Sequence, residues 1–97
     1  MLTPKYTKLA IQDMRQAYAY IAENNPQSAQ AIIERIEKGI DMLCAHPNLG
    51  RLGRLKETRE FVIVRTPFIV VYRPHKSVLW ILSILHTSKM YPFAAVP

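Results

Sequence analysis

The feature that most constrains the fold is a change in the spacing of apolar residues halfway along the chain. In the first half they recur every three to four positions, as on one face of a helix. Two such stripes are present, Ala10, Met14, Ala17 and Ile21, and then Ala29, Ile33, Ile36, Ile40 and Leu43. In the second half, β-branched and aromatic runs follow in close succession at residues 61–64, 68–72 and 78–82. Helices followed by strands predict an α+β fold.

Proline and asparagine residues mark the ends of the two predicted helices. Thr3 is predicted to cap the first helix, with Pro4 in its first turn. This helix ends just before Asn25, which can cap a second helix that has Pro26 at its first position. The second helix stops before Pro47. Because the turn between the helices is tight, the sequence predicts an antiparallel helical hairpin.

Short connections join the three strand-like runs. Thr66-Pro67 separates the first run from the second, and residues 74–77 separate the second from the third. Connections this short predict an antiparallel meander. The third run is apolar on both faces, which indicates an interior strand. Because the neighbours of Trp80 are all aliphatic, it is predicted to lie in the core rather than to serve as a platform for base stacking. We therefore expect a single domain, residues 1–97, with an N-terminal helical hairpin packed on a small antiparallel β-sheet.

Composition excludes several other classes of protein. The hydrophobic fraction of 49% argues against disorder. No apolar run approaches the roughly 18 residues that cross a bilayer, and the first residues lack the pattern of a signal peptide. The single cysteine, Cys44, excludes an internal disulfide and is interpreted as a buried structural thiol. His46, His75 and His86 are scattered, so we predict no metal and no cofactor. A cytoplasmic protein without membrane contact is expected.

The net charge of +6 is concentrated in the second half of the chain. Residues 1–50 carry five basic and five acidic side chains, whereas residues 51–97 carry eight basic side chains against Glu57 and Glu60. This asymmetry favours an acidic partner, either nucleic acid or an acidic protein. The alternative is a basic surface that only keeps the protein soluble.

A set of basic and aromatic residues near the strand ends is the best candidate for chemistry. The candidate catalytic residues are Arg59, Arg65, His86 and Tyr91, and the candidate binding residues are Arg51, Arg54, Lys56, Arg73 and Lys89. In a meander these segments can converge on one concave face. Arginines can hold a phosphate while a histidine or tyrosine moves a proton during attack by a ribose 2′-hydroxyl. The alternative is that Arg59 and Glu60 make surface pairs and that His86 caps a strand.

Five segments, in this order, resemble the RelE/ParE superfamily of toxins. They are residues 21–26, 46–54, 57–64, 66–73 and 81–86, and the resemblance runs from Thr3 to Pro92. It implies a helical hairpin against an antiparallel sheet. It also implies a cognate antitoxin, whose partly disordered segment folds over the toxin, and contact with operator DNA only through that antitoxin. The family's first strand is expected to be shortened here, because little precedes Thr3, with part of the sheet edge missing or supplied by a partner.

The resemblance leaves two main activities open. RelE-like toxins cleave mRNA on the ribosome without a metal, whereas ParE-like toxins inhibit DNA gyrase and are not known as nucleases. Where RelE-like toxins carry an arginine in the middle strand, this chain has Ile69, and of their basic cluster after the last strand only Lys89 remains, beside Tyr91. We therefore favour a ParE-like gyrase inhibitor. The alternatives are a ribosome-dependent mRNA endonuclease and a non-toxic member that only binds antitoxin.

Overall fold

The computed structural model describes residues 1–87, which form two helices and five strands. In chain order they are β1 (Thr3–Tyr6), α1 (Lys8–Ala22), α2 (Pro26–Ala45), β2 (Arg51–Leu52), β3 (Arg59–Val62), β4 (Phe68–His75) and β5 (Val78–His86). The strands form one sheet in the order β1-β5-β4-β3-β2. Its pairs are antiparallel except that β1 runs parallel to β5. The predicted α+β architecture is confirmed, with a mixed sheet in place of a purely antiparallel one.

The chain begins with a strand, and the prediction that a helix starts at Thr3 is wrong. Thr3–Tyr6 pairs with β5, so the sheet edge that was expected to be shortened or missing is present. Pro4 suits an edge strand because a proline cannot donate a hydrogen bond to a second neighbour. The cap of α1 is Thr7, whose hydroxyl oxygen accepts from the N–H of Ala10 at 3.1 Å while its O–H donates to the carbonyl of Leu82 at 2.9 Å.

The helical hairpin is confirmed. Asn25 caps α2 by accepting a hydrogen bond from the N–H of Ser28 at 3.1 Å, and Pro26 occupies the first position of the helix. The buried residues of the two helices come from the predicted stripes, with Cys44 added: Ala10, Ala17, Ala29, Ile36, Ile40, Leu43 and Cys44. Cys44 is a buried free thiol, and burial raises its pKa. It is therefore a packing residue, as predicted.

The main core lies between the hairpin and one face of the sheet. Ile63, just after β3, belongs to this core, and strands β4 and β5 contribute Phe68, Val70, Tyr72, Leu79, Ile81 and Ile84. Full burial of one such side chain stabilises a fold by about 1.5–3 kcal/mol. The hairpin therefore remains in place because its apolar stripe and this face of the sheet cover each other.

A smaller apolar cluster lies on the face of the sheet that points away from the helices. It contains Ile69, Val71 and Leu85, with Leu82 packed against them. Because side chains alternate along a strand, Trp80 also points to this outer face, whereas Leu79 and Ile81 beside it enter the main core. Trp80 is only partly buried, so its predicted core position is wrong.

A β-bulge at Leu82 interrupts the pairing of β4 with β5. Just beyond it, the carboxylate of Asp13 on α1 accepts a hydrogen bond from the hydroxyl of Ser83 at 2.8 Å and from the backbone N–H of Ile84 at 2.9 Å. One acidic side chain therefore fastens the first helix to the irregular part of the last strand.

Candidate functional site

Arg59, the first candidate catalytic residue, holds the loop that follows α2. Its guanidinium donates to the carbonyl of Gly50 at 2.7 Å and to that of Asn48 at 3.5 Å. On β4, directly opposite Arg59, lies Tyr72. The hydroxyl of Tyr72 donates to the carbonyl of Pro47 at 2.7 Å and accepts from the N–H of Gly50 at 2.9 Å. Arg59 and Tyr72 therefore fix this loop against the sheet.

The environment of Tyr72 predicts how stability depends on alkaline pH. Burial raises the pKa of its phenol above 10.0, although the hydrogen bond from Gly50 and the charge of Arg59 lower it in part. A raised pKa in the folded state means that the contribution to stability is complete below the unfolded value and is lost as pH rises through the folded value. We therefore expect the free energy of unfolding to fall more steeply above pH 10.0 in the wild type than in Tyr72→Phe.

Urea unfolding at a series of alkaline pH values measures this difference. Tyr6 and Cys44 also have raised pKa values because of burial, but they titrate in both proteins and cancel in the comparison. If the free energy of unfolding of the wild type and of Tyr72→Phe fell in parallel with pH, burial would not raise the pKa of Tyr72.

Arg65 and His86 lie at the other end of the sheet from Arg59. Arg65 occupies the turn after β3 with a left-handed φ of 61°. His86 pairs with Phe68 at the start of β4, and the two rings meet edge to face with centroids 5.2 Å apart. Since Arg59 pairs with Tyr72, four positions further along β4, about 13 Å of strand separates the two sites. The described residues thus do not bring Arg59 and His86 onto one phosphate.

Two of the predicted binding residues, Arg51 and Arg54, contact a buried carboxylate. Glu60 is only 4% exposed; it accepts hydrogen bonds from the guanidinium of Arg51 and from the backbone N–H of Arg54, each at 3.3 Å. Arg73 pairs with Glu57 at 3.2 Å. The alternative that Arg59 and Glu60 make surface pairs is therefore wrong, because Arg59 donates to backbone carbonyls and the carboxylate of Glu60 is buried against an exposed Arg51.

Three of the predicted site residues remain, namely Lys56, Lys89 and Tyr91. Lys56 is exposed in the same loop. Lys89 and Tyr91 lie outside the described residues.

Within residues 1–87, no group of three histidine, cysteine or acidic side chains is placed to hold a metal ion. In the same part of the chain no helix combines the length and the apolar character needed to span a membrane.

A groove that the sequence analysis missed lies between α2 and β3. It has a volume of about 280 Å³ and is lined by Arg35, Lys38, Gly39, Met42, Phe61, Ile63, Val64 and Arg65. Its walls are mostly apolar, and Met42 and Val64 are 49% and 71% exposed. The charged residues that line it are all cations. One sequence signal was available, because Met42 lies outside the apolar stripe of its helix.

Among residues 1–87, no strand covers the part of the β3 edge beside this groove. The short strand β2 pairs only with Arg59 and Glu60, so it does not cover the rest of β3. Ile63 donates its N–H to the carbonyl of Phe68 on β4 at 3.0 Å. Because backbone groups alternate in direction along a strand, the N–H and C=O of Val62 point away from β4. The groove thus combines apolar walls, cations and exposed backbone groups.

Two solved structures share this fold. The chromosomal ParDE toxin–antitoxin system from P. aeruginosa superposes with a TM-score of 0.77 and 25% sequence identity, covering 89% of this chain and 96% of that chain. The isolated E. coli RelE toxin superposes with a TM-score of 0.68 over 99% of this chain and 95% of that chain. Its 11% identity shows the fold alone. This chain therefore shares its fold with both of these proteins.

The chain belongs to the ParE toxin family. The sequence model described as the ParE toxin of the type II toxin–antitoxin system, parDE, matches residues 5–91. A protein of Sinorhizobium fredii with the name "Putative toxin Y4kP" is 34% identical over 88 residues, which are 91% of each chain. The predicted identity as a type II toxin of the RelE/ParE superfamily is confirmed, and a toxin of this kind implies an antitoxin partner.

Proposed function

We propose that this protein is a ParE-type toxin that inhibits DNA gyrase in the cytoplasm and thereby stops growth. We further propose that its antitoxin neutralises it by occupying the groove between α2 and β3. The proposal rests on this groove, because its apolar walls and its cations suit the binding of a protein segment. The choice of gyrase is supported by the match to the ParE family rather than to RelE.

The separation of Arg59 from His86 favours a protein-binding toxin over a nuclease. Cleavage by proton transfer needs the proton-moving group and the cation within hydrogen-bond reach of one phosphate. Arg59 instead donates to backbone carbonyls at one end of the sheet, and His86 lies against an aromatic ring at the other end. Ile69, at the position of the RelE-like arginine, is buried in the outer apolar cluster.

The groove suits an acidic amphipathic segment. Burying Met42 and Val64 would contribute hydrophobic free energy, and carboxylates on the segment would meet Arg35, Lys38 and Arg65. A segment that is disordered alone can fold onto such a surface, because the buried apolar area offsets its loss of conformational entropy. These are the properties expected of an antitoxin tail.

Synthesis rates after induction test the choice of target. We expect DNA synthesis to fall within minutes of inducing the chain alone in bacteria, before protein synthesis falls, because gyrase is needed ahead of replication forks. Pulse labelling of both products measures the order, and purified toxin should inhibit supercoiling by gyrase. His86→Ala should remain as toxic as the wild type, because the proposal gives its imidazole no role.

Two other outcomes would contradict gyrase inhibition. Early loss of protein synthesis, abolished by His86→Ala, would indicate a ribosome-dependent mRNA endonuclease. Unchanged growth despite a folded, antitoxin-binding protein would indicate the non-toxic member considered above. A host whose gyrase resists the toxin provides the control, since toxicity that persists there cannot come from gyrase.

A further inference from the structure

The outer face of the sheet carries an aromatic ring between two cations. Trp80 on β5 pairs with Lys5 on β1 and with Arg73 on β4. Residues paired across neighbouring strands point to the same face, and the strands lie about 4.8 Å apart. The three side chains therefore form one row, about 10 Å from end to end. Lys5 is exposed and Trp80 is partly exposed.

The loop between α2 and β3 adds positive charge beside this row. Its Arg51 reaches Glu60, which pairs with Val71 on the outer face, and its Glu57 reaches Arg73. The side chain of Arg51 is 64% exposed, whereas that of Glu60 is almost fully buried. The pair between Arg73 and Glu57 is exposed on both sides, so it contributes little and Arg73 can turn to another anion at small cost.

We propose that the row of Lys5, Trp80 and Arg73 binds single-stranded nucleic acid. A base stacks on the ring of Trp80, and the phosphates on either side are held by Lys5 and by the guanidinium of Arg73. Proteins that bind single strands without sequence preference combine a basic track with aromatic rings in this way. The surface lies on the opposite face of the sheet from the hairpin, and the proposal is independent of gyrase inhibition and of the antitoxin groove.

The burial of neighbouring residues favours nucleic acid over an acidic protein. A protein interface needs an apolar centre inside its polar rim. On this face Ile69, Val71 and Leu85 are already covered, with exposures of 5%, 2% and 7%. Among residues 1–87 the row itself offers a partly exposed ring and two cations, which match a base and its phosphates, and the exposed carboxylate of Glu57 beside Arg73 would be displaced by a phosphate.

Fluorescence tests the proposal directly, because Trp80 is the chain's single tryptophan. Titration of the full-length protein with a short oligothymidylate should quench its emission. Anisotropy of a labelled oligothymidylate should show that Trp80→Leu binds roughly 5- to 150-fold more weakly. Lys5→Gln and Arg73→Gln should each weaken binding, and each should reduce the slope of log K against log salt by about 0.7.

The matched control is Arg15→Gln, which removes the same charge from the exposed surface of α1. It should bind the oligonucleotide like the wild type. An equal loss in Arg15→Gln and Arg73→Gln would overturn the proposal, because binding would then depend only on net charge. Quenching by polyglutamate but not by oligothymidylate would overturn it in favour of an acidic protein. Since Lys5 is exposed, Lys5→Gln keeps the test decisive even if Trp80→Leu fails to fold.

Discussion

Replacing Asp13 by alanine is expected to lower the free energy of unfolding by about 3 kcal/mol. The carboxylate accepts hydrogen bonds from the hydroxyl of Ser83 and the backbone N–H of Ile84. Alanine leaves both donors in a partly buried place without this acceptor, and α1 loses its polar attachment to β5. In a domain of this size, the change corresponds to a fall in Tm of more than about 12 °C.

Thermal and urea unfolding measure this effect against two matched variants. Asp41→Ala removes the same group from an exposed position on α2 and should change stability by less than about 0.5 kcal/mol. Asp13→Asn keeps one oxygen that can accept from the same donors, so its cost should lie between those of the two alanine variants. Equal stabilities of Asp13→Ala and Asp41→Ala would mean that the carboxylate of Asp13 does not stabilise the bulged part of β5.

Reversing two charges at the groove is expected to weaken antitoxin binding about 100-fold, or roughly 3 kcal/mol. Arg35→Glu with Lys38→Glu replaces attraction to an acidic segment by repulsion along the α2 side of the groove. Both side chains are exposed on α2, so the fold should persist. Titration calorimetry with the purified cognate antitoxin measures the affinity, and loss of rescue by co-expressed antitoxin reports it in cells.

The control makes the same change of charge on the other helix. Lys8→Glu with Arg15→Glu alters exposed positions of α1, remote from the lining of the groove. This variant should bind antitoxin within a few-fold of the wild type. A similar loss in both double variants would show that only overall charge matters. Wild-type affinity of the α2 variant would place the antitoxin elsewhere on the toxin.

The predictions from sequence succeeded where the signals are local. The caps and apolar stripe of α2 depend on residues within a few turns of each other, and the meander depends on short connections. The start of the chain was misread because Thr3-Pro4 carries a plausible local helix signal, whereas its true partner is β5, far away in sequence. Trp80 was misassigned because its strand is apolar on both faces, so the pattern did not show which face meets the helices.

The candidate site was harder to predict because it depends on register. Sequence order places Arg59 and His86 near strand ends, but only the pairing of β3, β4 and β5 shows that these are opposite ends of the sheet. The groove could not be predicted, because α2 and the β3 edge meet only in the folded protein. Membership of the toxin superfamily could be predicted, since it depends on the order of several short segments.

The pairing of the first strand with the last has a consequence for synthesis on the ribosome. The hydrogen bond from Thr7 to Leu82 joins positions 75 apart, and that from Ser83 to Asp13 joins positions 70 apart. A nascent chain that has not yet reached β5 lacks the strand that holds β1 and anchors α1. Contacts this distant in sequence form late, because loop closure must precede them. Co-translational folding therefore cannot complete this domain until β5 has left the ribosome.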